Sequence, residues 1–194
     1  RRVNVNLPTL NSKTYRDLTY GDLRAVMKGV REAVAVGLFP VKLNMVLLRG
    51  INTREVEHMQ RFAERTGAVL QLIELEPINV SQEYYEKHHF QLDGIEEKLE
   101  KRAMKVEARK KMQNRRIYSL PRAKVEVVHP IENTEFCRHC TRLRVTSDGK
   151  LKPCLMRNDN LVEVLGPMRR GATDEELIEL FEEAVERREP YYRT

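Results

Sequence analysis

Apolar residues in the first half of the chain switch back and forth between two spacings. Val3, Val5 and Leu7 alternate with Asn4 and Asn6, the period of a strand. Leu23, Val26, Met27, Val30, Ala33 and Val34 then fall three and four apart, which lays one apolar stripe along a helix, and Gly37 follows as its stop. Val41–Leu47 reads as a second strand. Val56, Met59, Phe62 and Ala63 give a second helix its apolar face, with Asn52 as N-cap, Glu55 as capping-box partner and Gly67 as stop. Residues 68–75 read as a third strand, apolar on both sides for most of its length, as buried parallel strands are. This order predicts an α/β fold with a parallel sheet and right-handed crossovers.

Pro77 interrupts the alternation, so a domain division is expected near it: residues 1–80 with three strands and their helices, and residues 81–194 as a second region. Residues 92–102 read as a short charged helix. Residues 101–116 carry a dense run of lysine and arginine, read as a solvated face, with Arg109 inside it. Residues 116–120 and 124–128 have the pattern of two strands that could pair. Thr173, with Glu176 three residues on, predicts a capped last helix with a stripe of Leu177, Leu180, Phe181, Ala184 and Val185. The chain opens on Arg1 and runs straight into a strand, so an N-terminal portion is expected to be missing, supplied in cis or in trans. No apolar run approaches the ~20 residues of a membrane span, and no secretory pattern opens the chain. The expected compartment is the cytoplasm. With 35 basic against 29 acidic residues the net charge is +6, which suits an anionic ligand such as a nucleotide, or RNA, or a solvated surface.

The chain holds three cysteines, Cys137, Cys140 and Cys154, all within 18 residues. Two residues separate the first pair, so both thiolates can reach one metal from a single turn. Thirteen separate Cys140 from Cys154, and Asp148-Gly149 between them is a hairpin signal that would bring Cys154 back. An odd count in a cytosolic chain argues against disulfides. Spacing alone admits structural zinc, an iron–sulfur cluster or buried structural thiols. Zinc wants four ligands; His139 lies between the cysteines and His129 is a fourth candidate. A cluster on three cysteines would leave one iron open. Arg142 and Arg144 alternate after Cys140, which would set both on one strand face beside the metal, a pairing suited to phosphate; the alternative is two exposed strand arginines.

The segment Phe136-Cys137-x-x-Cys140-Thr141-Arg142-Leu143-Arg144, with Thr146-Ser147-Asp148-Gly149-Lys150 and Cys154-Leu155 behind it, resembles the C-terminal cluster motif of the GTP 3′,8-cyclases. These are radical S-adenosylmethionine enzymes of molybdenum cofactor biosynthesis (molybdenum cofactor biosynthesis protein A). Residues 2–7, 40–44, 49–52 and 73–75 resemble that family's later barrel strands, and residues 171–177 its last helix. The resemblance implies the C-terminal half of a partial (β/α)6 barrel, similar to a TIM barrel, followed by a small α+β region. It implies a [4Fe–4S] cluster on Cys137, Cys140 and Cys154, whose open iron takes the guanine base. It also implies a GTP site lined by Arg142, Leu143, Arg144 and Lys42, and Asn6 beside S-adenosylmethionine. The implied reaction joins C3′ of the ribose to C8 of the base, started by a deoxyadenosyl radical.

The departures are specific. No cysteine precedes Cys137, so the family's N-terminal cysteine motif and its S-adenosylmethionine-cleaving cluster are absent from this chain. S-adenosylmethionine and a second [4Fe–4S] cluster are therefore expected only with the missing part, and the chain alone is expected to be inactive. Gln71 stands where many relatives have arginine, and Glu76 where they often have methionine. The end, Tyr191-Tyr192-Arg193-Thr194, lacks the paired glycines with which many relatives finish. The competing readings are a zinc-stabilised basic module that grips RNA, and an inactive remnant with an open sheet edge. DNA binding is not expected.

Overall fold

The computed structural model describes residues 1–191; Tyr192, Arg193 and Thr194, most of the non-glycine end noted above, lie outside the described residues. It forms two compact units, one of Arg1–Arg109 with Arg115–Ile131, the other of Lys110–Asn114 with Glu132–Thr194. The first unit thus extends well past the break expected near residue 80.

The reason is a strand that returns. The first unit runs β1 (Val3–Asn6), α1 (Ser12–Thr19), α2 (Leu23–Ala35), β2 (Val41–Leu47), α3 (Val56–Thr66), β3 (Val69–Glu74), α4 (Gln82–His88), α5 (Asp93–Arg102), β4 (Lys105–Arg109), β5 (Arg115–Ser119) and β6 (Lys124–Val128). The sheet order is β1-β2-β3-β6-β5-β4. β1, β2, β3 and β6 are parallel, and β5 and β4 complete the sheet antiparallel. The β5–β6 pairing is the one expected. That β6 also joins β3 was not expected, because a short run such as Lys-Val-Glu-Val-Val does not name its distant partner.

The two faces of this sheet differ in kind. On one, Leu43, Met45, Leu47, Leu70, Leu72, Val125 and Val127 are buried against Leu23 and Val30 of α2 and Met59, Phe62 and Ala63 of α3. Each such side chain contributes ~1.5–3 kcal/mol of burial. The other face is polar. Asn6, Asn44, Gln71 and Glu126 lie opposite one another in a single row across β1, β2, β3 and β6, with Ile117 next on β5. Lys42 lies two residues before Asn44, on that same face.

Asn52 does not cap α3. A 3₁₀ turn, Thr53–Glu55, precedes the helix, and neither end of that turn has a side-chain cap. Asn52 is fully buried instead. Its Oδ1 accepts from Leu48 N at 2.8 Å, and its Nδ2 donates to Pro8 O at 2.9 Å and Val46 O at 2.8 Å. Every polar atom of that side chain is used, which makes its burial affordable. Glu55 accepts from Thr9 Oγ1 at 2.7 Å and Leu10 N at 3.0 Å. Both residues therefore tie down the loops beyond β1 and β2.

The second unit carries α6 (Thr134–Arg138), β7 (Arg144–Val145), β8 (Lys150–Lys152), β9 (Val162–Glu163), α7 (Leu165–Arg169) and α8 (Asp174–Glu186). Its sheet, β7-β8-β9, is antiparallel throughout. Thr173 and Glu176 form the expected capping box on α8. The α8 stripe is only half used: Ala184 is buried and Leu177 and Leu180 pack inward, whereas Phe181 and Val185 are 44% and 52% exposed. Among the described residues no helix is long and apolar enough to cross a membrane.

Candidate functional site

Two places concentrate chemistry, one in each unit. In the second unit, Asn133 caps α6 by accepting from Phe136 N at 2.9 Å. Cys137 lies in this helix, and Cys140 N donates to Cys137 O at 3.1 Å, so one tight turn carries both thiols. The chain then enters β7, turns at Asp148-Gly149 and returns as β8. Gly149 has φ +78°, and a Cβ there would stand 2.3 Å from the Leu165 Cβ, so the turn demands glycine twice over. Arg144 pairs with Lys152, so Cys154, two residues on, follows the strand that runs back beside the cysteine turn.

All three cysteines are free and partly exposed. Among the described residues no group of three histidines, cysteines or carboxylates stands close enough to hold a metal ion. The hairpin thus returns Cys154 without gathering the three thiols into one centre. The donor set itself, three thiols with no fourth, has the chemistry of a cluster with one open iron. Of the two candidate fourth zinc donors, His139 has its Nδ1 3.0 Å from Glu135 O, and His129 is engaged with Glu74 and Glu96.

Residues not anticipated hold this loop. Arg188 donates from Nη1 to Cys140 O at 2.9 Å and from Nη2 to Arg142 O at 2.7 Å. Gln113 N donates to His139 O at 3.0 Å, and its Nε2 lies 3.6 Å from Cys140 Sγ. Gln113 and Asn114 both have positive φ, 63° and 52°, and the only local sign of that is an asparagine inside a basic run. β7 begins only at Arg144, so Arg142 precedes the strand and strand alternation does not set it on the face of Arg144. Arg142 is exposed, and Leu143 packs into the small core with Leu151.

In the first unit, Lys42 is only 6% exposed and forms an ion pair with the fully buried Glu126. Arg109 Nη1 lies 3.4 Å and Arg115 Nη1 3.9 Å from Glu126 Oε1. The run 101–116 is therefore not wholly solvated: β4 and β5 turn Arg109 and Arg115 onto the polar sheet face. Burial lowers the pKa of Lys42; Glu126 opposes this, and the two guanidinium groups add to it. On the same face Asn44 Oδ1 and Gln71 Oε1 are buried without a hydrogen-bond partner. Asn6, exposed, ends the row at β1, and Glu76 lies just beyond β3.

The helix-covered side has a polar network of its own. Glu74 receives His89 Nε2 at 2.7 Å, His129 Nε2 at 3.2 Å and Ile131 N at 3.4 Å. His129 Nδ1 also lies 3.8 Å from Glu96, which accepts from Tyr118 Oη at 2.9 Å. The bond to Glu96, with the charge of Glu74, raises the His129 pKa against its burial. Burial raises that of Glu74. For Glu96 burial also pushes upward, but the bonds from His129 and Tyr118 and the charge of Arg116 outweigh it and the net direction is down.

Residues 68–194 match the family described as Molybdenum Cofactor Synthesis C. The chain is 50% identical over 193 residues to a probable GTP 3′,8-cyclase of Methanothermobacter thermautotrophicus, covering 98% of this chain and 63% of the relative. It is 48% identical over 199 residues to a protein of the same description from Thermococcus kodakarensis, covering 99% and 64%. A third, from Pyrococcus horikoshii, is 46% identical over 198 residues, covering 98% and 63%. The chain spans a little under two thirds of the length of these curated relatives.

Proposed function

The chain belongs to the Molybdenum Cofactor Synthesis C family, and from that premise we propose that it is the substrate-binding portion of a GTP 3′,8-cyclase. That enzyme would convert GTP to (8S)-3′,8-cyclo-7,8-dihydroguanosine 5′-triphosphate by radical S-adenosylmethionine chemistry in the cytoplasm. The observation that carries the reading is the near-full-length identity, about half, to relatives of that description. The three-cysteine turn and hairpin, within the matched region, support it.

Cys137, Cys140 and Cys154 are the proposed ligands of a [4Fe–4S] cluster. When bound, it would offer one iron without a protein ligand to the guanine base. Arg144, Arg142 and Leu143 are the proposed lining of the GTP site, and Lys42 a further contact. The guanidinium fork suits phosphate oxygens, and Arg188, by fixing the carbonyls of Cys140 and Arg142, would hold this stretch of backbone still. Asn6 is proposed beside S-adenosylmethionine. The four parallel strands are proposed as the later half of a partial barrel. The length of the relatives that this chain does not span is proposed to bring the earlier strands and the second cluster. With only three cysteines, all in the second unit, this chain alone is expected not to cleave S-adenosylmethionine.

Anaerobic reconstitution with iron and sulfide tests the reading. It should give about four of each per chain, brown colour, and GTP binding that requires all three cysteines. A colourless protein that holds zinc, takes up no iron and binds RNA would replace this reading with the zinc module.

A further inference from the structure

Residues 110–114 connect β4 to β5, yet they belong to the second unit, where they meet the cysteine turn. Three successive residues of that turn are met. Gln113 N donates to His139 O at 3.0 Å, Gln113 Nε2 donates toward Cys140 Sγ at 3.6 Å, and Thr141 Oγ1 donates to Lys111 O at 3.2 Å. The middle contact reaches a sulfur. Gln113 is only 7% exposed, although Lys110 and Lys111 beside it are exposed, so its side chain turns inward from a basic loop. Its backbone is left-handed, with φ 63°. Glycine and asparagine suit that conformation better than glutamine does. What glutamine adds over asparagine is one methylene of reach, and at that reach stands the Cys140 sulfur.

We propose that Gln113 is a positioning residue for the metal centre: its amide donates to the Cys140 sulfur, steadies that ligand and raises the reduction potential of the [4Fe–4S] cluster held there. This rests on the cluster reading above and adds which side chain tunes it. An N–H bonded to a thiolate disperses negative charge on the sulfur. One-electron reduction makes a cluster more negative, so a donor on a ligand sulfur favours the reduced form. The ligand partners beyond a metal's own donors act in this way, by orienting a ligand and setting its electronics.

Anaerobic redox titration with dithionite, followed by electron paramagnetic resonance, tests this on the reconstituted chain, whose three cysteines admit a single such cluster. Gln113→Asn keeps a residue suited to the left-handed turn and keeps the backbone bond to His139, but falls short of the sulfur. Its equilibrium constant for reduction should fall about tenfold, a midpoint lower by ~59 mV for one electron. Gln113→Glu, which has the length but offers a carboxylate, should lower it further. If Gln113→Asn takes up no iron, Gln113→Gly, which also suits the turn, decides in its place. Thr141→Val breaks the neighbouring contact without touching the sulfur, and its midpoint should equal the wild type's. Midpoints unchanged in the Gln113 variants, with iron fully bound, would overturn the role of Gln113 and leave the cluster reading standing. A fall as large in Thr141→Val would also overturn it, because loosening of the loop would then suffice. A wild-type chain that takes up zinc and no iron would sink the cluster reading and this inference with it.

Discussion

The first unit builds its chemistry on strands, and the second builds it on turns. In the first, twenty buried apolar residues form one cluster, and the polar row rides on the opposite face of that same sheet. In the second, the buried core among the described residues is Leu151, Val162, Val164 and Ala184, and the cysteine turn is held by side chains bonded to its backbone. A strand-built site inherits the rigidity of its core. A turn-built site has little apolar burial behind it, so its order depends on a few hydrogen bonds and, on the reading above, on the cluster that its thiols would bind.

Core deletions should give the largest effects. Leu43→Ala removes a fully buried side chain from the large core and should cost about 2–5 kcal/mol in chemical denaturation. Leu151→Ala makes the same deletion in a core of four, and hydrogen exchange should show protection in β7, β8 and β9 collapse altogether. Equal, graded losses at both positions would break the contrast between the units.

Gly149→Ala comes next. It forces a Cβ into the left-handed region and against Leu165, at a cost of about 1–3 kcal/mol for the backbone before any repacking. Iron uptake on reconstitution should fall with it, because the hairpin that returns Cys154 is the element damaged. Full iron uptake by a destabilised Gly149→Ala protein would mean that the hairpin does not position Cys154.

Much of the first unit was legible in sequence because its signals are periodic. The stripe of α2 and the three strands follow from residues two, three or four apart. What was not legible depends on register between distant segments. Arg109 belongs to a run that looks solvated, and only the pairing of β4 with β5, and of β5 with β6, turns it toward Glu126. Glu126 in turn reads as an ordinary outward residue of a short strand until β6 is set beside β3. Asn52 and Glu55 have capping-box spacing, but tertiary partners at Pro8, Thr9 and Leu10 won them. In the second unit the cysteine spacing and the Asp148-Gly149 turn were plain. Arg188 was not, since it acts on carbonyls 46 and 48 residues away. The alternation of Arg142 with Arg144 misled, because a two-residue strand does not extend back to Arg142.

The smallest expected effect is a pH slope in the first unit. His129 has its pKa raised by Glu96 and Glu74, so its contribution to stability is complete below its ordinary 6.5 and is lost as pH rises through the raised value. Glu74, with a pKa raised above 4.5, adds a loss of the same sign as pH rises. Glu96, with a lowered pKa, acts on the acid side: its contribution is present above 4.5 and is lost as pH falls through the lowered value. Thermal unfolding should therefore show stability declining above pH ~6.5, and His129→Gln should flatten that decline. An unchanged slope in His129→Gln would remove this network from the account.

The most direct measurement is GTP affinity of the reconstituted full-length protein as wild type and as Arg144→Ala, with exposed Arg24→Ala alongside for reference. Loss of one charge-assisted phosphate contact should weaken GTP about tenfold to a hundredfold in Arg144→Ala. Arg144→Lys should recover only part of it, because the ammonium group lacks the fork, and Arg24→Ala should bind as the wild type does. GTP binding weakened equally by Arg24→Ala and Arg144→Ala would show diffuse attraction to a basic protein, and would contradict a GTP site built on the cysteine turn.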